Sequence, residues 1–397
     1  MTEASAAGRV LVTGATGYIG GLLVPALLEH GLAVRVLSRS AAKLGRRREW
    51  SDHVEVVEGD AGSAADLATA LDGVDIAYYL LHSMDGKGDF VARDRALAQG
   101  FAAAALRAGT RRIVYLSGLH PEGELSPHLG SRVEVGRILL DSGVPTIVLQ
   151  AGVVLGAGSA SFDMLRHLTE RLPAMVAPKW LRNRIQPVAI DDVLHYLVRA
   201  AEVPGEVNRS FDLGGPDVLT YAEMIEGYAR VTGLGRRAIL TVPVLTPNLA
   251  SLWVGLVTPV PPGIARPLVG SLVHEAVAKE DDILELTGPP PGGRTGFEEA
   301  VSRATTGIDS SRWRRTATAV GSLTVAAAVA GPLRMPLWAP LFVGLGAWAT
   351  ATISELEESG RQRDADRVKA WCAASSAIAV AAGTLARRFR SRPQRRR

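Results

Sequence analysis

The sequence predicts an α/β protein built on a doubly wound parallel sheet, followed by a C-terminal region of different character. Short β-branched segments alternate with helical segments over the first 150 residues, which is typical of parallel sheets. A glycine-rich segment lies between the first predicted strand and the first predicted helix. After Arg315 the composition changes, and two long uncharged segments follow each other. These observations place a soluble body before a C-terminal α-helical membrane tail.

The N-terminal segments predict a βαβ unit. Arg9–Thr13 is short and β-branched, Tyr18–His30 has the apolar spacing of a helix, and Ala33–Ser38 is a second strand. Further strands are predicted at 54–57, 76–80, 112–117 and 146–149, and further helices at 63–72, 89–108 and 131–142. Such alternation predicts helices on both faces of the sheet.

The turn after the first strand has the spacing of a dinucleotide-binding loop. Gly14 permits a tight turn, Gly17 lets backbone amides approach a pyrophosphate, and Gly20 allows close packing of the helix on the sheet. A purely structural glycine turn is the alternative. The residues predicted to form the loop are Gly14, Ala15, Thr16, Gly17, Tyr18, Ile19 and Gly20.

The end of the second strand predicts which dinucleotide is bound. An acidic residue there would bind a ribose 2′-hydroxyl and repel a 2′-phosphate, but this chain has Ser38 and Arg39, with Lys43 one turn later. Because a guanidinium pairs bidentately with phosphate, NADP is favoured, while NAD stays possible. Asp60 and Ala61, after the third strand, are predicted to contact the adenine; a helix cap is the alternative for Asp60.

Four segments in this order resemble the extended and atypical short-chain dehydrogenase/reductase superfamily, and within it the NmrA-like NAD(P)H-binding branch. They are VTGATGYIG (12–20), YYLLHSM (78–84), VYLSGL (114–119) and QPVAIDDV (186–193). The resemblance covers residues 9–304. It implies a Rossmann domain over 8–155 with a smaller interleaved substrate portion over 156–305, and it suggests kinship with the accessory NADPH-binding subunit of respiratory complex I.

The resemblance also implies positions for catalytic residues. Classical members use a Ser, a Tyr and a Lys four residues after the Tyr, and the Lys lowers the pKa of the phenol. None of the seven tyrosines here has Lys at that spacing. Ser117 matches the family serine, while the Tyr and Lys positions fall on His128 and Arg132. Arg132 would lower the pKa of His128 and favour a neutral base; an ordinary loop histidine is the alternative. His82, predicted near the nicotinamide, is a second candidate.

The C-terminal region, 306–397, predicts a transmembrane hairpin and a basic tail. Residues 316–333 and 335–354 give 18 and 20 uncharged residues, which is long enough for two spanning helices. A third uncharged segment, 370–386, is mostly Ala, Ser and Gly, and we expect it not to span. A buried helical hairpin of a soluble domain is the alternative for the two longer segments.

Charge supports this division. The net charge of +4 conceals 15 Lys/Arg against 5 Asp/Glu in residues 312–397, with 29 against 35 in the rest. Without aromatic interleaving, the terminal arginines indicate a topology signal or an anionic-lipid contact rather than nucleic-acid binding. The positive-inside rule then predicts a cytoplasmic membrane protein whose catalytic domain and C-terminus face the cytoplasm.

Other chemistries are excluded at the level of motifs. The sequence has no GxxxxGK[ST], HExxH, CxxC or GxSxG, and its single cysteine, Cys372, cannot form an intrachain disulfide. We therefore expect no metal site.

Two functional hypotheses remain. The first is a membrane-tethered NADP(H)-dependent oxidoreductase acting on a lipophilic carbonyl or quinone-like compound, which the uncharged, proline-rich segment 238–265 also suggests. The second, motivated by the missing Tyr–Lys pair, is a non-catalytic NADPH-binding redox sensor or an accessory subunit of a membrane complex. The partners predicted are a small lipophilic substrate, membrane lipid and, in the second case, a membrane-complex partner.

Overall fold

A computed structural model describes residues 8–45, 49–82, 89–121, 125–172, 174–242 and 258–310. Contacts within the chain divide it into two units, Met1–Ile308 and Asp309–Arg397, and the elements below belong to the first. The predicted spans at 316–333, 335–354 and 370–386 lie outside the described residues. Among the helices that are described, none combines the length and the apolar character that a membrane crossing requires.

The strands are β1 (Arg9–Thr13), β2 (Ala33–Ser38), β3 (Glu55–Glu58), β4 (Ile76–Tyr79), β5 (Arg112–Gly118), β6 (Thr146–Ala151), β7 (Val154–Leu155), β8 (Ala174–Pro178), β9 (Arg184–Ile185), β10 (Val188–Ala189), β11 (Arg209–Leu213), β12 (Leu219–Thr220) and β13 (Ala238–Val242). Seven of them form one parallel sheet in the order β11-β6-β5-β4-β1-β2-β3. The predicted parallel α/β sheet is confirmed. Its seventh strand, β11, comes from the substrate portion.

The helices are α1 (Tyr18–Glu29), α2 (Ala41–Gly45), α3 (Ala64–Leu71), α4 (Phe90–Ala108), α5 (Pro127–Leu140), α6 (Ala160–Arg171), α7 (Ile190–Arg199), α8 (Tyr221–Val231), α9 (Pro262–Ser271), α10 (Ile283–Thr287) and α11 (Phe297–Ala304). Alternate residues of β1 face opposite sides of the sheet. Val10 and Val12 pack with α1 and α7, while Leu11 packs with α3 and α4. Both faces of the sheet are therefore covered, as the doubly wound pattern requires.

The start of α5 differs from the sequence prediction. The helix begins at Pro127 rather than at residue 131. Ser126 caps it by accepting the Leu129 N–H at 3.3 Å, and proline is well suited to a first helical position because it lacks the N–H. His128 consequently lies in the first turn of a helix and not in a loop.

Two buried arginines on strands anchor helices on opposite faces of the sheet. Arg35 on β2 donates to the carbonyls of Ala70 at 2.9 Å and Asp72 at 2.7 Å, at the end of α3. Arg112 on β5 donates to carbonyls at the end of α7, including that of Val203. These bonds satisfy carbonyls that have no partner within a helix.

The uncharged segment 238–265 is described only at its two ends. It begins with β13, which pairs in parallel with β8, and it ends in the first turn of α9. Helix α9 contacts both α5 and α6, so it lies beside the helix that carries His128. Residues 243–257 lie outside the described part of the chain.

Candidate active site and cofactor cleft

The glycine-rich turn after β1 is closed by its own backbone. Gly14 has φ +73°, a conformation that favours glycine, and its carbonyl accepts the Gly17 N–H at 2.9 Å. A Cβ at Gly20 would lie 2.4 Å from the Gly14 carbonyl oxygen. The absence of a side chain at Gly20 thus lets α1 approach the turn itself. The sequence instead suggests the packing of α1 on the sheet as the role of Gly20.

The N-terminus of α1 fits a pyrophosphate. Gly17 is its N-cap and no side chain caps the first turn. The backbone amides there and the positive end of the helix dipole are the usual anion-binding features of this fold. Thr16 and Gly17 are exposed, whereas Ala15 is buried and Ile19 is half-buried.

Tyr18 points toward the substrate portion. Side chains at Gly156 or Gly158 would meet its ring or its hydroxyl. Burial, reinforced by Asp163 and Asp191, raises the pKa of the Tyr18 phenol. Tyr18 therefore packs the loop onto the second portion with a neutral hydroxyl.

The adenosine end of the cleft is built by the ends of β2 and β3. The Ser38 carbonyl accepts the Gly59 N–H at 3.0 Å, and the Ser38 hydroxyl donates to the Ser40 carbonyl at 3.2 Å. Arg39 follows directly and is exposed. In the described part of the chain no carboxylate forms an ion pair with Arg39, so its guanidinium is available to a ligand.

Asp60 shapes the turn after β3. Its carboxylate accepts the Gly62 N–H at 2.7 Å, and half-buried Ala61 lies within this turn. The N-cap of α3 is Ser63, which accepts the Asp66 N–H at 3.3 Å. The alternative of Asp60 as the helix cap is therefore wrong, while its predicted contact with adenine stays a prediction.

A histidine cluster lies at the carboxyl edge of the sheet. Nε2 of His82, just after β4, is 3.3 Å from Nδ1 of His128 on α5, and the ring centroids are 4.7 Å apart. Arg132, one helical turn after His128, donates from Nε to His82 Nε2 at 3.5 Å. The structure thus brings together three of the four residues predicted for catalysis.

Asp94 on α4 completes the cluster. Its Oδ2 lies 3.4 Å from Nδ1 of His82 and accepts the hydroxyl of Ser131 at 3.2 Å. Asp94 and Ser131 are both buried. The cluster therefore connects a buried carboxylate, through His82, to His128. Within the described residues, no group of His, Cys, Asp or Glu is arranged to hold a metal ion.

The electrostatics of the cluster favour neutral imidazoles. Burial, together with Arg132 and His82, lowers the pKa of His128 to about 3. Burial and Arg132 also lower the pKa of His82, although Asp94 acts in the opposite direction. Both rings are therefore neutral near pH 7. The direction expected for His128 from the sequence is confirmed, and burial is the larger cause.

Ser117 is buried near the end of β5, where it is in register with Gln150 on β6. No hydrogen bond joins Ser117 to His82 or His128 in the part of the chain that is described. Arg132 reaches this strand end, because a Cβ at Gly118 would lie 3.6 Å from its guanidinium. Ser117 therefore neighbours the cluster through Gly118 and Arg132, without a direct bond.

Sequence reasoning missed two polar residues here. Asp94 falls on the buried stripe of α4 together with Ala98, Phe101 and Ala105, so a carboxylate within an apolar stripe was the available signal. His120 follows β5, and its Nε2 lies 3.3 Å from the Gln150 amide nitrogen.

The sheet, the glycine turn and the helix N-terminus define a dinucleotide-binding protein of the Rossmann type. Residues 14–141 match a family model described as NAD(P)H-binding. The chain is similar to a (4-alkanoyl-5-oxo-2,5-dihydrofuran-3-yl)methyl phosphate reductase of Streptomyces griseus, with 29% identity over 71% of this chain and 93% of the relative. It is also similar to a ceramide reductase of Caulobacter vibrioides, with 29% identity over 59% of this chain and 74% of the relative.

Among solved structures, the fold matches a Citrobacter sp. triphenylmethane reductase complexed with NADP(H). The TM-score is 0.59 at 20% identity, covering 74% of this chain and 99% of that one. The resemblance to the extended short-chain dehydrogenase/reductase superfamily, in its NmrA-like NAD(P)H-binding branch, is confirmed. The chain therefore carries an NAD(P)H-binding domain and is similar to reductases over most of its described residues.

Proposed function

We propose that the chain is a membrane-tethered, NADP(H)-dependent oxidoreductase acting on a lipophilic carbonyl or quinone-like compound. The observation that carries the proposal is the cluster of two neutral imidazoles and a guanidinium at the carboxyl edge of the sheet. His128 and Arg132 occupy the positions that the resemblance assigns to the family Tyr and Lys. Ligands of open α/β sheets bind at this edge.

A bound nicotinamide cofactor would supply or accept a hydride. Arg132 is half-buried, and among the described residues no carboxylate pairs with its guanidinium. A substrate oxygen that becomes negatively charged would be stabilised by such a cation, whose side chain is partly removed from water. His128 would exchange the proton of that oxygen, and Ser117 would help to hold it.

Arg39 supports NADP over NAD. Its exposed guanidinium follows β2 directly, where the 2′-phosphate of the adenosine ribose belongs in this fold. A guanidinium binds phosphate through two parallel hydrogen bonds. Arg39 therefore favours NADP as the cofactor.

The lipophilic substrate and the membrane tether are supported by the sequence and by one relative. The uncharged segments 316–333 and 335–354 are each long enough to span a bilayer. The Caulobacter vibrioides relative is named for reduction of a ceramide. A tether would keep the cleft close to substrates that reside in lipid, with the catalytic unit and the C-terminus in the cytoplasm.

The second candidate function is non-catalytic NADPH binding, as a redox sensor or as an accessory subunit of a membrane complex. The replacement of the Tyr–Lys pair by His128 and Arg132 favours it. Its partner would then be a membrane complex rather than a small substrate.

Turnover separates the two candidates. Full-length protein should oxidise NADPH with at least one lipophilic carbonyl or quinone, and His128→Ala and Ser117→Ala should each lower kcat roughly 10²-fold with cofactor affinity within a few-fold of wild type. A surface variant, Glu134→Gln, is the control. Binding of NADPH without consumption across a broad substrate panel would refute the enzyme and support the sensor.

A further inference from the structure

The buried Asp94 carboxylate constrains every hydrogen in the histidine cluster. An ionised carboxylate only accepts hydrogen bonds, so it favours a hydrogen on the Nδ1 atom of His82, which faces it at 3.4 Å. The Ser131 hydroxyl donates to the same oxygen at 3.2 Å. Asp94 Oδ2 therefore favours the Nδ1–H tautomer of His82.

The constraint passes from His82 to His128. A neutral His82 with its hydrogen on Nδ1 has only a lone pair on Nε2. Arg132 Nε always donates, and it points at this lone pair from 3.5 Å. Nδ1 of His128, at 3.3 Å from the same atom, can bond to it only as a second donor that shares this lone pair with Arg132. The single hydrogen of a neutral His128 is then on Nδ1, and its Nε2 is unprotonated.

We propose that Asp94 is a positioning residue that fixes the Nδ1–H tautomers of His82 and His128, so that His128 Nε2 is the proton acceptor of the site. The role resembles that of a carboxylate that orients a catalytic histidine, extended here over two rings. Nε2 of His128 makes no hydrogen bond within the described residues, which leaves it for a ligand.

The arrangement selects a class of ligand. A hydroxyl can donate its hydrogen to His128 Nε2 while its oxygen accepts from the Arg132 guanidinium. The site therefore suits the hydroxyl form of an alcohol–carbonyl couple, whose proton would move from oxygen to Nε2 in the oxidising direction. In the reducing direction Nε2 would first take a proton from solvent and then pass it to the substrate oxygen. The choice of ligand rests on the proposed function, whereas the tautomers do not.

The tautomers can be measured directly. Long-range ¹H–¹⁵N correlation spectra of full-length protein labelled with ¹⁵N-histidine distinguish the two forms, with His82→Gln and His128→Gln used for assignment. Wild type should show Nδ1–H for both rings at pH 7. In Asp94→Asn, whose amide can donate to Nδ1 of His82, the Nε2–H form should increase in both rings, to an extent limited by Arg132, which still donates toward His82 Nε2. A dominant Nε2–H form in wild type, or unchanged tautomers in both Asp94→Asn and Asp94→Leu, would overturn the proposal.

Kinetics provide the second measurement. Asp94→Asn should lower kcat about 10²-fold, while KM and calorimetric NADPH affinity stay within a few-fold. The control is Glu134→Gln, which breaks the exposed Arg95–Glu134 pair between the same two helices without touching a histidine. Glu134→Gln should leave both spectra and kcat unchanged. A loss of kcat equal to that of Asp94→Asn would show that helix docking, not tautomer control, is the role of Asp94.

The two measurements fail independently. If the spectra agree but wild type turns over no substrate, the positioning role stands and the enzymatic function is refuted. If turnover is found with the wrong tautomers, the function stands and the positioning role is refuted.

Discussion

Replacing Arg39 by alanine should weaken NADPH binding and spare NADH. Arg39 follows β2 directly, is exposed, and has no ion pair to a carboxylate in the described residues, so a 2′-phosphate would not have to displace a protein partner. A charge-assisted bidentate contact contributes about 1.5 to 3 kcal/mol, and exposure to solvent places this one near the lower limit. Since about 1.4 kcal/mol is a factor of ten, the NADPH Kd should rise about 10- to 30-fold.

Isothermal titration calorimetry with both cofactors is the assay. The Kd for NADH, which has no 2′-phosphate, should change less than about two-fold. Arg107→Ala is the matched control, because Arg107 is also an exposed arginine and lies in the last turn of α4, at the opposite edge of the sheet. Equal losses for NADH and NADPH in Arg39→Ala, or no loss for either, would refute the 2′-phosphate assignment.

Three further predictions concern the loop, pH and topology. Gly20→Ala would place a Cβ 2.4 Å from the Gly14 carbonyl oxygen and 2.9 Å from the Ala15 Cα. Thermal unfolding should show about 1 to 3 kcal/mol less stability, and calorimetry should show loss of NADPH binding. Wild-type stability and affinity in this variant would contradict the close packing of α1 on the turn. The pKa of His128 is lowered to about 3, so the unfolded state binds more protons than the folded state between pH 3 and 6.5. The free energy of unfolding therefore falls as the pH falls, by at most about 1.4 kcal/mol per pH unit for this group. Urea unfolding from pH 7 to 5 should be less pH-dependent in His128→Gln than in wild type, and an equal pH dependence of the two proteins would refute the lowered pKa. A reporter fused after Arg397 should be active only in the cytoplasm, and activity outside would overturn the two-span topology.

The features that the sequence predicted well depend on local chemistry. β1 and β2 have the predicted bounds, because a β-branched strand, a glycine turn and an amphipathic helix each carry their signal in neighbouring residues. The start of α5 was missed, because Ser126 and Pro127 act as a cap only when the chain before them lets the helix begin there.

β11 is a strand of the main sheet whose position could not be predicted from the sequence. Its five residues, Arg209–Leu213, look no different from a surface strand in the sequence, yet they pair with β6 at the edge of the main sheet. That pairing joins segments about sixty residues apart, so no local pattern contains it. The interleaving was implied only by the resemblance.

In the histidine cluster, some contacts follow from local sequence and others depend on tertiary packing. His128 and Arg132 lie one turn apart, so helix geometry alone predicts that they share a face. Asp94 joins them only because α4 packs against α5, and His82 joins them because the carboxyl end of β4 lies under the same helices. An isolated histidine titrates near pH 6.5, and packing, by removing water and adding Arg132, makes this pair neutral. The sequence could therefore nominate His82, His128 and Arg132 as candidate site residues, whereas Asp94, to which we assign control of their protons, joins them only through tertiary packing.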